Sequence, residues 1–414
     1  MRPKLIKLTV LVAAIVLPLL ALELAARVYV YATSDEDKGV PDHQLNFFAV
    51  SAFPWDYDEA LGYRYTPGAH VTRLQISKGK PVFWNPIRIN PLGNTDMAAD
   101  YDVQADLKVL VFGDSYTANL AHGGTAWPDA LERQLEERLG KSVNVLGFGR
   151  DGYGVVQMFD LAAYQVPRHA PDIVVFAVIS DDFTRGRFWR RRATVQGEPR
   201  GFAMGRPGGV DVYHSVDARI VDPGITPKWC EAAIAHPDGD ALLESLNDKF
   251  RTRRLEWSSR VNYFSPTTSF LANRLLRGDP LASFRRPSPI PRLKFDDYAA
   301  DAQTVNNIEQ LSATDVPYFM FQLCDVHEMR ENGFRMRDRQ WALRRSLERM
   351  TGKTFADFVG DKALTTAPLR EQWKRYYLLP HDSHPNGPGM EMFAQVVADW
   401  LLDHTINADG SLRR

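Results

Sequence analysis

One serine and one histidine stand out because each lies where an enzyme could use it. Ser115 lies in the run Gly-Asp-Ser-Tyr-Thr at 113–117, directly after a short apolar run typical of a buried strand. His384 lies near the other end of the chain, in His-Asp-Ser-His-Pro-Asn at 381–386. A serine hydroxyl becomes a nucleophile when an imidazole takes its proton, and a carboxylate fixes the tautomer of that imidazole. Ser115, His384 and Asp382 are therefore a candidate proton relay.

Both motifs also have an ordinary structural interpretation. A Gly-Asp-Ser turn can simply cap the helix that follows it, and Asp382 or Asn386 can cap a later helix beside solvated histidines. The position of the motifs in the chain favours chemistry. Ser115 would lie at the carboxyl end of a parallel strand, where ligands bind in open α/β sheets, and the second motif directly precedes a terminal amphipathic helix.

The elements that must position these residues alternate between strands and helices. Short apolar runs predict buried strands, and apolar residues at 3.6-residue spacing predict helices. The predicted strands cover 107–112, 143–148, 171–179 and 316–323, and the predicted helices cover 127–139, 153–166 and 390–403. This alternation indicates an α/β protein, with a three-layer α/β/α domain around a central parallel sheet of about five strands.

The rest of the chain is organised around that domain. We expect an irregular N-terminal extension before it and a polar, Arg-rich insertion within it, whose short helical patterns include 241–250. The expected segments are a signal-anchor or transmembrane segment at 1–32, the extension at 33–105, the α/β domain at 106–183 and 300–405, the insertion at 184–299 and a tail at 406–414.

The N-terminal segment indicates a membrane or export function. Arg2, Lys4 and Lys7 precede a mostly apolar run over 8–22, which continues less purely to residue 32. An uncleaved single-pass anchor, a cleaved signal peptide and a buried soluble helix all fit this pattern, and we expect the anchor. Basic residues before the segment and acidic residues after it place the body outside the inner membrane, in the periplasm or another extracytoplasmic space. Signal cleavage would instead release it as a secreted protein.

The composition excludes several classes of function. Lys and Arg number 50 against 51 Asp and Glu, so no overall charge attracts the chain to nucleic acid. The two cysteines, Cys230 and Cys324, are too few for a thiolate zinc cluster or a disulfide framework, although one bridge between them stays open. His327 and Glu328 follow a predicted strand without a third ligand. We expect no metal and no cofactor.

Four ordered motifs make the chain resemble the SGNH/GDSL hydrolases, and in particular their membrane-anchored bacterial members. These motifs are Phe-Gly-Asp-Ser-Tyr-Thr at 112–117, Gly-Phe-Gly-Arg-Asp-Gly-Tyr-Gly at 147–154, Pro-Asp-Ile-Val-Val-Phe at 171–176 leading into Ser-Asp-Asp-Phe, and Asp-Ser-His-Pro-Asn at 382–386. The resemblance implies a flavodoxin-like α/β/α fold in which Ser115 is the nucleophile and Asp382 and His384 complete the triad. It also implies an oxyanion hole formed by the backbone N–H groups of Ser115 and Gly149.

The chain departs from the family at Asp181. The family has an asparagine here, whose side-chain amide is the third donor of the oxyanion hole, whereas a carboxylate donates only when it is protonated. Loss of one such donor typically slows a reaction by about 10²–10³-fold. Three alternatives follow: burial keeps Asp181 protonated, another donor such as Ser180 replaces the amide, or the domain is a slow or inactive hydrolase.

Five arginines cluster around two aromatic residues at 185–192. Such a run can bind an acidic polysaccharide or phosphate groups, but it is more often a solvated or internally paired surface. We expect a solvated or internally paired surface here.

The function implied by the motifs and by the expected location is hydrolysis of acyl esters, with O-acetyl groups on a polysaccharide or envelope glycan as the expected substrate. An O-acyltransferase of the same fold, and a catalytically impaired domain that binds a glycan or a protein partner, are the alternatives. The expected partners are an ester-bearing small molecule or polysaccharide and the membrane.

Overall fold

The structure is a computed structural model that describes most of the predicted α/β domain and parts of the regions around it. The described residues are 14–21, 23–25, 45–50, 55–77, 80–96, 104–119, 125–195, 198–206, 209–213, 290–325, 329–330, 333–334, 336–357, 373–378 and 383–413.

The N-terminal segment is described only in part. Residues 14–21 and 23–25 are helical, and their large apolar side chains are exposed, with Leu17 and Leu24 each 64% exposed. Within the described ranges, no helix is both long enough and apolar enough to span a membrane. The other residues of the predicted 1–32 segment lie outside those ranges.

The extension at 33–105 contains antiparallel strands, so the prediction that it is irregular is wrong. Its strands are β1 (Leu45–Val50), β2 (Trp55–Asp58), β3 (Gly62–Tyr65), β4 (His70–Ser77) and β5 (Lys80–Arg88). β1, β4 and β5 form one sheet, and β2 pairs with β3 as a hairpin. Antiparallel strands mix polar and apolar residues, so they lack the continuous apolar runs that reveal buried parallel strands.

The hairpin packs onto the α/β domain through tyrosines. Tyr63 and Tyr65 are fully buried, and the Tyr153 hydroxyl donates to the backbone carbonyl of Leu61 at 2.8 Å. The Asp151 N–H donates to the Tyr65 hydroxyl oxygen at 2.8 Å. These bonds tie the hairpin to the loop at 150–154.

The α/β domain contains the remaining elements. Its strands are β6 (Leu107–Gly113), β7 (Val143–Gly149), β8 (Ile173–Val178), β12 (Tyr318–Gln322) and β15 (Phe355–Asp357), and the short pair β13 (Met329–Arg330) and β14 (Gly333–Phe334) lies between the last two. Between β8 and β12 the insertion contributes β9 (Trp189–Val195), β10 (Glu198–Arg206) and β11 (Gly209–Tyr213), which form an antiparallel sheet. The helices are α1 (Ser115–Ala118), α2 (Trp127–Leu139), α3 (Val155–His169), α4 (Ala302–Ser312), α5 (Asp338–Thr351) and α6 (Gly387–His404).

The central sheet has five parallel strands in the order β15-β12-β8-β6-β7, which confirms the expected sheet. The chain passes from β6 to β7 on one side and then returns to β8 on the other. Strand order therefore reverses at β6, and a crevice forms at its carboxyl end in folds of this kind. Ser115 is two residues beyond that end.

Helices cover both faces of this sheet, which confirms the three-layer arrangement. Alternate strand residues point to opposite faces. Val109 and Val111 of β6 pack in a cluster with α2 and α6, whereas Leu110 and Phe112 pack in a second cluster with α3, α4 and α5. In α6, whose range matches the helix predicted at 390–403, Phe393, Val397 and Leu401 are fully buried.

Candidate active site

The site lies at the carboxyl edge of the central sheet. Gly113 is the last residue of β6 and Gly149 the last of β7, and the two are paired in register. Asp181 follows β8, which pairs with β6 on its other side. Because parallel strands end at one edge, the predicted nucleophile, oxyanion donor and asparagine-position residue lie on adjacent loops.

Asp114 fixes the start of the short helix that carries Ser115. Asp114 is the N-cap of α1, and its carboxylate accepts a hydrogen bond from the Tyr116 N–H at 2.9 Å. The Ser115 Oγ lies 3.4 Å from Asp114 Oδ2. Capping a helix N-terminus in this way is worth about 1 kcal/mol. The cap holds the serine hydroxyl where the strand order reverses.

His384 lies within hydrogen-bond distance of the serine. Its Nε2 is 2.8 Å from Ser115 Oγ, although the two residues are 269 positions apart in sequence. The histidine's own loop is held by backbone bonds: the Leu378 N–H donates to the His384 carbonyl at 2.9 Å, and the Asn386 N–H donates to the Tyr376 carbonyl at 3.0 Å. Asn386 is the N-cap of α6, so the helix start also fixes this loop.

Asp382, the predicted carboxylate of the relay, lies outside the described residues. The structure therefore brings together two of the three predicted members of the triad. Cys230, His327 and Glu328 also lie outside the described ranges. Within those ranges, no three His, Cys, Asp or Glu side chains are grouped so that they could hold a metal ion.

Gly149 is required to be glycine by its neighbour. A Cβ built on Gly149 would overlap the backbone of Thr117 and Ala118 in α1. The absence of a side chain lets α1 pack directly against the end of β7. Ser115 and Gly149 are thereby kept on adjoining loops, as an oxyanion hole made from both N–H groups requires.

Asp181 is held by positively charged and amide donors. Arg292 Nη2 lies 3.3 Å from its Oδ2, and Gln340 Nε2 donates to its Oδ1 at 3.2 Å. Burial alone would raise the pKa of this carboxyl, but the guanidinium groups of Arg185 and Arg292 outweigh burial and hold the pKa below its ordinary value. Asp181 is therefore a carboxylate at neutral pH, which argues against the protonated alternative.

Ser180, the alternative donor for this position, has its hydroxyl in a hydrogen bond with another strand. Its side chain is fully buried, and its Oγ accepts a hydrogen bond from Gln322 Nε2 at 2.8 Å. Gln322 lies at the end of β12, on the far side of β8 from Ser115. The contact directs the Ser180 hydroxyl toward β12.

Arg185, the first arginine of the run at 185–192, is paired within the molecule next to the site, with its side chain 11% exposed. Arg185 Nη1 lies 3.0 Å from Asp114 Oδ2 and also contacts Asp182 Oδ1. Burial would lower the pKa of this guanidinium, but the two carboxylates outweigh burial and raise it. Complete burial and the neighbouring Asp114 raise the pKa of Asp182 well above its ordinary value. Arg185 thus links the turn after β8 to the N-cap of α1.

Arg187 of the same run is also paired internally. Its Nε and Nη2 donate to Asp160 at 2.6 and 3.0 Å, and its Nη1 donates to Asp301 at 2.5 Å. For these two arginines the expectation of intramolecular pairing is confirmed. The only sequence signal that could have separated them from the rest of the run is their position at its start, before the strand β9 begins at Trp189.

Comparison with known proteins found similarity only among solved structures. No protein-family model and no curated protein sequence matches the chain. A lipase/acylhydrolase from Enterococcus faecalis has 12% identity and a TM-score of 0.33, over 71% of this chain and 95% of that one. The acetyl xylan esterase AlAXEase has 12% identity and a TM-score of 0.34, over 72% of this chain and all (100%) of that one. A variant of Axe2, an acetyl-xylooligosaccharide esterase from Geobacillus, has 12% identity and a TM-score of 0.33, over 72% and 94%.

Identities and TM-scores this low carry no information about the chemistry of the chain, which depends on its own residues. Those residues define a three-layer α/β/α domain with a serine–histidine pair at the carboxyl edge of its parallel sheet. The described residues of the four motifs that resemble the SGNH/GDSL hydrolases lie at this edge or lead to it.

Proposed function

We propose that this chain is a serine ester hydrolase that works through an acyl-Ser115 intermediate. The observation that carries the proposal is the 2.8 Å distance between His384 Nε2 and Ser115 Oγ at the edge of the sheet where strand order reverses. A hydroxyl and an imidazole held at this distance are the nucleophile and general base of acyl transfer.

The proposed reaction has two steps. Ser115 Oγ attacks the carbonyl carbon of the ester while its proton passes to His384 Nε2, and the histidine returns that proton to the departing alcohol as the C–O bond breaks. A water molecule then attacks the acyl-serine, giving its proton to His384, and the carboxylic acid leaves as Ser115 regains its hydrogen. Asp382 is proposed to orient the imidazole through both steps.

The negative charge that develops on the carbonyl oxygen is received by the N–H groups of Ser115 and Gly149. Asp181 supplies no third donor, because its pKa is lowered and it is charged. Two preorganised donors still stabilise the transition state, since each one is worth about 2.7–4 kcal/mol in well-studied hydrolases. We therefore expect a working enzyme that is slower than one with a complete oxyanion hole.

The proposed substrate is an O-acetyl group on a polysaccharide or envelope glycan, met outside the inner membrane. The support for this location is the N-terminal segment, with its basic start, its apolar run and the exposed apolar side chains of residues 14–21 and 23–25.

Fractionation of cells that express the full chain tests the location. Recovery in a carbonate-resistant membrane fraction, with the body open to protease in spheroplasts, is expected. A chain found in the cytosol would refute it.

The proposed activity is tested by following labelled acetyl groups from an acetylated oligosaccharide. The purified full chain should release free acetate, and Ser115→Ala and His384→Ala should each lower kcat by at least about 10³-fold. Ser312→Ala, on the exposed surface of α4, is the matched control and should act like the wild type. Label that appears only on an acceptor sugar would identify a transferase instead.

A second candidate, a domain that binds glycan without hydrolysing it, is favoured by the charge on Asp181. It predicts that the same oligosaccharide binds to the wild type and to Ser115→Ala with equal affinity while no acetate is released from either. Measuring binding and release in one set of samples separates the two candidates.

A further inference from the structure

Tyr116 directly follows the proposed nucleophile and reaches the loop that carries His384. Its hydroxyl donates to the backbone carbonyl of Ser383 at 2.9 Å. Its ring centroid lies 5.2 Å from that of the His384 imidazole, at an interplanar angle of 42°. The side chain is only 2% exposed. One residue therefore contacts both the backbone and the ring of the histidine's segment.

The tyrosine hydroxyl also reaches a third element of the site. Asp325 Oδ2 lies 3.3 Å from the Tyr116 oxygen, and Asp325 follows β12 at the same edge of the sheet. The hydroxyl has one hydrogen to donate, and the carbonyl of Ser383 is the closer acceptor. Tyr116 thus joins α1, the loop after β12 and the loop before α6.

With these contacts, hydrogen bonds fix the backbone carbonyls on both sides of the His384 Cα. The carbonyl of His384 is already fixed by the Leu378 N–H at 2.9 Å. The carbonyl of the preceding residue, Ser383, is fixed by Tyr116. With both carbonyls held, the two peptide planes that flank the His384 Cα have little freedom to rotate. The imidazole is then directed at Ser115 by its backbone and is packed against the Tyr116 ring.

The Ser115 side of the pair is rigid for a different reason. α1 starts from a buried strand, is capped by Asp114 and packs against the end of β7. Tyr116 is part of that same helical turn. The position of Tyr116 relative to Ser115 is consequently fixed. The Ser383 carbonyl and the His384 ring, which Tyr116 contacts, are therefore also fixed relative to Ser115. A misplacement of about 1 Å between reacting groups can slow a reaction by about 10²-fold.

We propose that Tyr116 is a positioning residue that sets the distance between Ser115 and His384. Its hydroxyl fixes the Ser383 carbonyl, and its ring supports the imidazole. The proposal deepens the esterase function proposed above and rests on it for its kinetic test. Tyr116 itself donates no proton to the substrate and forms no bond with it.

The test compares Tyr116→Phe and Tyr116→Leu in the full chain. Tyr116→Phe keeps the ring and loses the hydroxyl, so kcat for p-nitrophenyl acetate should fall about 10-fold with KM within about twofold, as expected for one lost hydrogen bond that acts on the transition state. Tyr116→Leu also loses the ring, and kcat should fall about 100-fold. The labelling rate of Ser115 by a fluorophosphonate should fall by the same factors.

Tyr298→Phe is the matched control. The Tyr298 hydroxyl is also buried and donates to a backbone carbonyl, that of Phe183, at 2.7 Å. Its loss should lower the melting temperature by as much as Tyr116→Phe does, while kcat stays within about twofold of the wild type. Equal losses of kcat in the two variants, or a Tyr116→Phe variant as active as the wild type, would overturn the proposal.

A measurement that needs no catalysis keeps the positioning claim separate from the proposed function. Carbethoxylation of His384 by diethyl pyrocarbonate, followed by mass spectrometry, reports how freely the imidazole moves. The rate should rise at least about fivefold in Tyr116→Phe and stay unchanged in Tyr298→Phe. A wild type without esterase activity would refute the proposed function, and an unchanged carbethoxylation rate in Tyr116→Phe would refute the positioning role.

Discussion

Asp181 is the residue at which the proposed site departs from the family that the chain resembles. It stands where the resembling family has an oxyanion-hole amide, and Arg292 and Gln340 hold it as a carboxylate. A fixed negative charge beside a developing oxyanion opposes the reaction, and a carboxylate offers no hydrogen to it. The proposed site therefore combines a proposed nucleophile and base at 2.8 Å with a proposed oxyanion hole that lacks one donor.

We expect Asp181→Asn to raise kcat by about 10-fold or more, because it removes the charge and supplies an amide. Asp181→Ala removes the charge alone and should raise kcat by less, so comparison of the two separates the effects. The ion pair with Arg292 is about one-third exposed on both sides, and its loss should cost less than about 1 kcal/mol of stability. Steady-state kinetics measure the change in kcat, and thermal unfolding measures the change in stability. A fall in kcat for Asp181→Asn would mean that the carboxylate itself takes part in the reaction.

At the scale of elements, the buried ion-pair network connects the turn after β8 to the start of α1. Arg185 contacts Asp114 and Asp182, and its side chain is only 11% exposed. Removing one partner of a buried ion pair leaves charges uncompensated in a medium of low dielectric constant. The orientation of α1, and with it that of Ser115, should depend on this arginine.

Arg185→Met should lower the free energy of unfolding by about 3–5 kcal/mol at pH 7 and should also lower kcat. Burial raises the folded-state pKa of Asp182, and removal of the guanidinium raises it further above the unfolded value of about 3.9. Carboxyls of this kind favour the folded state below pH 4 and lose that contribution as the pH rises through their folded pKa. The stability difference from the wild type should therefore widen between pH 4 and pH 7 in urea titrations.

Arg187→Met is the matched control, because Arg187 also pairs with two carboxylates but makes no contact with Asp114. It should lose stability while keeping kcat within about twofold when assayed well below its melting temperature. If Arg185→Met kept full activity, or if both variants lost kcat equally, the link between this network and Ser115 would be wrong.

The sequence predicts the elements that bear the site better than those around it. β6, β7 and β8 are continuous apolar runs because both of their faces are covered, and α2 carries leucines at helical spacing. α5 was missed because its 14 residues are rich in charge, with few apolar residues to reveal its buried side. The strands β1 to β5 were missed because their pairing, rather than any long apolar run, defines them.

The same contrast holds for the site. Ser115 and His384 could be paired from sequence because their motifs occur in a familiar order. The Arg185 contact with Asp114 spans 71 residues, and no local pattern reveals which of several neighbouring arginines turns inward. The hydroxyl bond from Tyr116 to Ser383 spans 267 residues, and it too depends on how distant loops meet.

At the scale of the whole molecule, the fold brings the two ends of the α/β domain together at one edge of its sheet. Ser115 lies on the first strand–helix connection of that domain, and His384 precedes its last helix. The closing of the domain between β6 and α6 therefore brings the proposed nucleophile and its proposed base together. In open α/β sheets, ligands bind where strand order reverses, and the pair lies at such a point.

The proposed role of Ser115 is tested by treating the purified full chain with a fluorophosphonate and identifying the modified residue by mass spectrometry. A serine activated by His384 should give one modified serine, Ser115, with labelling abolished in Ser115→Ala and slowed at least about 10³-fold in His384→Ala. Circular dichroism spectra equal to that of the wild type would show that both variants are folded. A folded wild-type chain that is not labelled at Ser115, or one that is labelled equally fast without His384, would contradict this role.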